Sequence, residues 1–345
     1  MSTHLNLITD VPGVLVGNAH DGSVMSGVSV LLCDRPLMAA VDVRGGAPGT
    51  RETDALGLTG IVDQIHGIVL SGGSAFGLDA AGGVQCWLAQ RGVGFAIGPA
   101  RVPIVPQAIL FDLLNGGDKG WGTTPPYRDL AITACETAGR VFALGSAGSG
   151  FGATTATLRG GLGSASVRLD DGIVIGALVA ANPLGSVTVG DGPRFWAAPF
   201  ERDAEFGGLG TPARWPDAAV KIQLKGSATP TNAHDTTALN TTIAIVATNA
   251  HLSKAECHRL AVMAQTGLAR AIYPVHTPLD GDTVFAVATG DGSKPATYTA
   301  LAHLGAHAAN CLARAIARGI YEASPAPPGW VGPEAYVTRF PGTKR

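Results

Sequence analysis

The junction Asn240-Thr241 carries the residues of this chain best suited to covalent chemistry. A polar, turn-prone run, Asp235-Thr236-Thr237-Ala238-Leu239, leads through it into Thr242-Ile243-Ala244-Ile245-Val246-Ala247-Thr248. The second run is apolar and β-branched, the pattern of a buried strand. Branching at Cβ stiffens the Thr241 side chain, so a strained backbone at the strand's start can aim its hydroxyl at the Asn240 carbonyl carbon. Attack there turns the peptide into an ester, and water then splits the chain into residues 1–240 and 241–345. The new Thr241 carries both a hydroxyl and an α-amine of unperturbed pKa roughly 7.7–8.0, near enough to neutrality to act as the hydroxyl's own base. This is the Thr–N-terminus form of the nucleophile–base pair. The same tripeptide also reads as an ordinary strand start, and as a glycosylation acceptor in a secreted protein.

Two other groups supply what such a nucleophile needs. Asn182 precedes Pro183, which pushes it into an extended conformation. Its amide can then point off a strand end as an oxyanion donor, or simply mark where the strand stops. Asp280-Gly281-Asp282 opens the apolar run 283–288. The triplet is either an Asp-Gly turn or a pair of carboxylates at a strand mouth, placed to orient an ammonium or polarise a hydroxyl. It lacks the further oxygens of a calcium loop.

Glycine-rich stretches offer less. Ser71-Gly72-Gly73-Ser74-Ala75-Phe76-Gly77 follows a buried strand, but Phe76 breaks the G-x-S-x-G elbow. Its glycines instead predict close backbone approach, with Gly73 and Ser74 at a helix start facing a pocket. Gly145-Ser146-Ala147-Gly148-Ser149-Gly150-Phe151-Gly152 suggests a dinucleotide loop, with Asp170 at ribose distance. The spacing is G-x-G-x-G, and the Thr/Gly-rich stretch after it is a poor helix. His303 and His307 lack the Glu of a zinc helix, and no metal or cofactor is expected.

The elements that must hold these residues can be read from periodicity. Short strands are expected at 14–17, 27–32 and 39–43, with a charged Gly/Pro loop following at 44–54. A strand at 67–70 leads to a helix at 79–91, and a second helix covers 127–138. A hairpin turns at Asp170-Asp171-Gly172. Residues 191–235 hold no period and are rich in Pro, Gly and charge, which predicts a surface excursion within a single domain. After Thr241 the order is β-α-β-α, with a Ser253…Glu256 capping box and a final helix at 298–321.

Composition sets the class. There are 24 Lys+Arg against 26 Asp+Glu, a net charge of −2, so no global field calls for nucleic acid. Charged residues are 14% and hydrophobic residues 46%, which predicts a large core and surface hidden between subunits. The five cysteines show no C-x-x-C spacing and are expected as buried free thiols. The N-terminus lacks signal-peptide character and no apolar run reaches membrane length, so a cytoplasmic, soluble protein is expected.

Taken together, Leu239-Asn240-Thr241-Thr242-Ile243 and His276-Thr277-Pro278-Leu279-Asp280-Gly281-Asp282-Thr283 resemble a known group. It comprises the self-processing L-aminopeptidase/D-amidase-esterases, β-aminopeptidases and nylon-oligomer hydrolases. The resemblance extends over Asp42 to Gly49, Ser71 to Leu78, the Gly148 loop and Ala181-Asn182-Pro183. It implies an αββα four-layer sandwich like that of N-terminal-nucleophile hydrolases, cleavage before Thr241, and assembly into tetramers or larger. Thr241 is then nucleophile and base, Asn182 the oxyanion donor, and Asp280 and Asp282 the residues that position and tune Thr241. Expected substrate contacts are Gly73, Ser74, Phe111 and Thr157. At the last two the chain departs from the nylon-oligomer hydrolases, which carry Tyr and Lys there. The implied substrates are small peptides, amino-acid amides or esters, or oligoamides. The alternatives are an acyltransferase of the ornithine acetyltransferase type, whose Lys-Gly-x-Gly-Met run is missing before Thr241, a nucleotide-dependent oxidoreductase, and a binding homologue without catalysis.

Overall fold

The computed structural model describes residues 4–226, 240–290 and 297–343. Its strands are β1 (Val14–Asp21), β2 (Ser26–Val43), β3 (Thr50–Arg51), β4 (Gln64–Ser71), β5 (Phe95–Ile97), β6 (Ala100–Val102), β7 (Gln107–Ile109), β8 (Gly161–Arg168), β9 (Val174–Asn182), β10 (Thr241–Thr248) and β11 (Thr283–Ala288). The helices are α1 (Ala80–Ala89), α2 (Tyr127–Glu136), α3 (Lys254–Ala264), α4 (Thr266–Ala269), α5 (Tyr298–Tyr321) and α6 (Tyr336–Arg339). Among the described residues, nine strands share one hydrogen-bonded network in the order β3-β7-β4-β2-β11-β10-β9-β8, with β1 also beside β2; β5 and β6 form a separate hairpin.

The network folds over along β2. One edge of this strand pairs with β1 through Cys33 and then with β11 from Met38 onward, while β4 runs along the other edge with a register shift between Leu32 and Leu37. Side chains alternate between faces, and this alternation sorts the core into three layers of contact. On β10, Ile243, Ile245 and Ala247 join Leu178 and Ala180 of β9, Leu31 of β2 and Ile68 and Leu70 of β4, which is the seam between two sheet halves. Ala244 and Val246 face the other way, against Cys257, Leu260 and Ala264 of α3 and Leu312, Ala315 and Ile316 of α5. Val28, Val30 and Val69 pack on Ala81, Val84 and Leu88 of α1 and Tyr127 and Ala131 of α2. Helix, sheet, sheet, helix is the expected αββα sandwich.

Close approach of α5 to β8 depends on glycine. A Cβ on Gly163 would stand 1.8 Å from the Ala315 carbonyl oxygen, and one on Gly161 would stand 2.1 Å from that of Gly319.

Several local expectations change. The strands expected at 27–32 and 39–43 are one strand, because Pro36 falls at the register shift, where no ladder bond needs its missing N–H. The helix after the capping box is broken at Gln265 into α3 and α4. Cys86 is exposed and Cys33 half-buried; only Cys135, Cys257 and Cys311 are buried. The Gly148 loop is a single 3-10 turn, Gly148–Gly150, leading into β8 and not into a helix. Its Ser149 amide is spent on Ser29 Oγ at 3.0 Å, and a Cβ on Gly148 would clash with the same oxygen. The dinucleotide reading fails on both counts. The end of the expected excursion, 227–235, and the polar run before Asn240 lie outside the described residues. Among the described residues no helix is long and apolar enough to cross a membrane.

Candidate active site

Thr241 is the first residue of β10 and projects on the same face as Ile243 and Ile245, into the mouth of the seam between the sheet halves. It is 3% exposed. Its hydroxyl donates to the carbonyl oxygen of Asn240 at 2.5 Å, so the oxygen lies over the peptide group it would attack. That carbonyl also accepts the Gly281 amide at 2.8 Å, a backbone donor already seated where negative charge would form. Asn240 is itself held by its own N–H, which donates to Leu279 at 3.0 Å. At 1% exposure it is no glycosylation acceptor. Gly281 has to be glycine, since a Cβ would come 2.7 Å from both Thr241 Oγ and the Ala47 carbonyl oxygen.

Across the antiparallel ladder Thr241 faces Asn182, the last residue of β9. Directly opposed residues share a face, so the two side chains emerge together. The Asn182 amide is fully buried and its orientation is fixed. Its Oδ1 accepts from Thr154 N at 2.9 Å and from Lys225 Nζ at 3.1 Å; its Nδ2 donates to Phe111 O at 3.1 Å. An amide nitrogen carries two hydrogens, so the bond to Phe111 leaves the second for an oxyanion.

The two aspartates bond to backbone and side chains around Thr241. Asp282 accepts from Thr242 N at 2.9 Å, His276 N at 3.1 Å and His276 Nδ1 at 2.8 Å. His276 adopts a left-handed backbone (φ 55°) to make this turn. Asp280 accepts from Leu184 N at 3.1 Å, Thr277 N at 3.0 Å and Thr277 Oγ1 at 2.6 Å. One carboxylate thus ties β11 to β10 and the other ties it to the end of β9. The Gly/Pro loop closes over the triplet: Arg44 N donates to Asp282 O at 2.9 Å and Ala47 N to Asp280 O at 2.8 Å. Burial, with the Asp282 charge nearby, raises the Asp280 carboxyl above its ordinary range.

Beyond Asn182 lies a cleft of about 320 Å³, lined in part by Phe111, Asp112, Asn115, Thr154, Lys225 and Gly226. Phe111 therefore reaches it. Thr157 does not line it, although Thr154, Thr155 and Ala156 do. Gly73 sits one layer behind, its amide donating to Asp112 Oδ1 at 2.7 Å, and Ser74 N is bonded to Leu110 O at 2.9 Å. Burial raises the Asp112 carboxyl, the largest influence on it, against bonds from Ser26 and Gly73 that pull the other way.

Two residues of the site escaped the sequence reading. His276 stands in the quoted motif six positions before Asp282, with nothing to mark it as a ligand of that carboxylate. Lys225 lies 43 positions from Asn182, in the aperiodic excursion. It lines the cleft, as Thr157 does not. Burial lowers its amine to about 7, opposed by Asp280.

A buried hydroxyl on a strand start, an oriented amide opposite and a backbone amide on the carbonyl before it fit an amide hydrolase of the N-terminal-nucleophile type. Solved structures share the fold. A β-aminopeptidase of a Burkholderia species superposes with a TM-score of 0.69 at 21% identity, over 98% of this chain and 92% of that one. The L-aminopeptidase D-Ala-esterase/amidase of Ochrobactrum anthropi, a variant of the ntn hydrolase fold, gives 0.68 at 18% identity, over 98% and 93%. The model of peptidase family S58 matches residues 6–328. The chain belongs to that family and is a hydrolase of amide or peptide bonds. It is 41% identical to an uncharacterized aminopeptidase of Mycobacterium tuberculosis, over 98% of this chain and 99% of the relative. It is 33% identical to a 6-aminohexanoate-oligomer endohydrolase of a Kocuria species, over 84% and 76%.

Proposed function

We propose that the chain cuts itself between Asn240 and Thr241, and that the freed Thr241 is the nucleophile of an amide hydrolase acting on small peptides, amino-acid amides or esters, or short ω-amino-acid oligomers. The observation that carries this reading is the contact of Thr241 Oγ with the Asn240 carbonyl, with Gly281 N–H on the same oxygen. In maturation Oγ gives up its proton and bonds to the Asn240 carbonyl carbon, the C–N bond breaks, and the nitrogen takes up that proton to become the α-amine. Water then hydrolyses the ester. In turnover the α-amine takes the Oγ proton as the acyl bond forms and returns it to the leaving amine. Asn182 Nδ2 holds the oxyanion, and a second water releases the acid.

Asp280, Asp282 and His276 hold the segment that keeps Gly281 against the nucleophile. The mycobacterial relative supports an exopeptidase and the 6-aminohexanoate-oligomer endohydrolase supports an oligoamide substrate. With Phe111 on the cleft, we favour small amino-acyl amides. Exposed Ile61, Phe95, Ile97 and Val102 support self-association into a tetramer or larger, and the five free cysteines support residence in a reducing, cytoplasmic compartment.

Intact mass under denaturing conditions tests the nucleophile. Wild type is expected as fragments 1–240 and 241–345, and Thr241→Ala as one chain without turnover of amino-acid p-nitroanilides. A wild-type chain that stays whole for days at neutral pH would sink the reading.

A further inference from the structure

The orientation of Asn182 needs an explanation of its own. A primary amide presents two similar ends, and the flipped rotamer would aim an acceptor, Oδ1, at the developing negative charge. Phe111 O and Thr154 N favour the productive rotamer, but both are neutral backbone groups at the rim of an open cleft. The third contact is an amine. Lys225 is pinned through its backbone N–H to Leu184 O at 2.9 Å, two residues beyond Asn182. From there its stem lines the cleft and Nζ reaches back to Asn182, 3.1 Å from Oδ1 and 3.5 Å from the main-chain oxygen. While it is charged, below about pH 7, the lysine amine only donates, so it holds the oxygen end of the amide and repels the nitrogen end. Donation to Oδ1 also polarises the amide and strengthens its N–H as a donor.

We propose that Lys225 is a positioning residue of the reaction, which clamps Oδ1 of Asn182 and so turns the Nδ2 hydrogens toward the oxyanion. This rests on the reading of Thr241 as nucleophile and Asn182 as oxyanion donor. Because the clamp comes from the stretch just upstream of the scissile bond, it is in place before the cut and remains on the 1–240 chain after it. The charge facing Nζ is the Asp280 carboxylate, which the Leu184 amide and Thr277 hold from the other side.

The test uses the full chain with Lys225→Met, Lys225→Arg and Lys225→Ala, beside wild type and Thr241→Ala. Loss of an oxyanion donor costs about 10²–10³ in kcat. Misorienting one is therefore expected to lower kcat roughly 10–100-fold in Lys225→Met, with KM unchanged. Lys225→Arg is expected to keep most of kcat, and added ethylamine to restore part of the loss in Lys225→Ala. In a chain already carrying Asn182→Ala, Lys225→Met is expected to subtract nothing further from the residual turnover rate. Wild-type rates in Lys225→Met, losses that multiply with Asn182→Ala, or a folded Lys225→Ala that amines do not rescue would each overturn the proposal. If Thr241→Ala also cleaves and turns over, the nucleophile reading falls and the proposal with it. If Thr241→Ala is dead while Lys225→Met behaves as wild type, only the clamp is lost.

Discussion

Lys225 is a charge that the protein interior resists. Burial lowers its amine from 10.5 to about 7, with the Asp280 carboxylate pulling the other way. Between those two values the unfolded chain holds a proton that the folded chain has released, so stability rises with pH across that window. Asp280 has the opposite sign. Its carboxyl is raised by burial and by Asp282, so its contribution is present at low pH and fades as pH climbs through the raised value. Thermal melts of wild type and Lys225→Met at matched pH isolate the amine. The wild type is expected to gain on the variant as pH increases from about 7 toward 10.5. Parallel curves would mean that the amine titrates as it does in water.

At the same scale, the positions of Thr241, the carbonyl before it and the aspartate triplet were legible because each stands at the boundary of a strongly patterned strand. Lys225 was not, because a residue brought in by an aperiodic segment leaves no spacing to read. Ser74 and Gly73 illustrate the converse. Their glycine-rich surroundings advertise open amides, yet those amides are consumed by Leu110 O and Asp112.

Among elements, the hairpin β8–β9 and the long helix α5 follow directly from period 2 and period 3.6 in the sequence. The continuity of β2 does not. A proline in a strand argues locally for an end, and only the neighbouring strands reveal that Pro36 sits at a register shift between two pairings. The contact of α5 with β8 is another feature set by tertiary packing, since a glycine in a strand otherwise only weakens it. With Ala315 O 1.8 Å from any Cβ at Gly163, Gly163→Val must push the helix off the sheet. Overpacking a core costs typically about 1–3 kcal/mol, and here backbone meets side chain, so the upper end is expected. Chemical denaturation of the uncut Thr241→Ala background, with and without Gly163→Val, measures it. An unchanged midpoint would show that α5 can shift freely.

For the whole molecule, β10 lies between β9 and β11 in the sheet. A cut at its first residue leaves β10 and β11 on one polypeptide and their outer neighbours, β9 and β2, on the other. The layer under α1 and α2 lies wholly within residues 1–240, but the other two are divided: the seam residues Ile243, Ile245 and Phe285 pack against Leu31, Ile68 and Leu178 across the cut. The fragments are expected to stay together at any dilution that leaves them folded, which native mass spectrometry after the denaturing measurement would check. Reassembly after denaturation is a different matter. The uncut chain finds its partner strands along its own backbone, whereas the cut pair must meet in solution, so recovery should depend on concentration for the wild type and not for Thr241→Ala. The proposed cut would therefore turn an equilibrium into a lifetime: a processed protein would persist by unfolding slowly, and a molecule that did unfold would have lost the covalent memory that first brought its halves together.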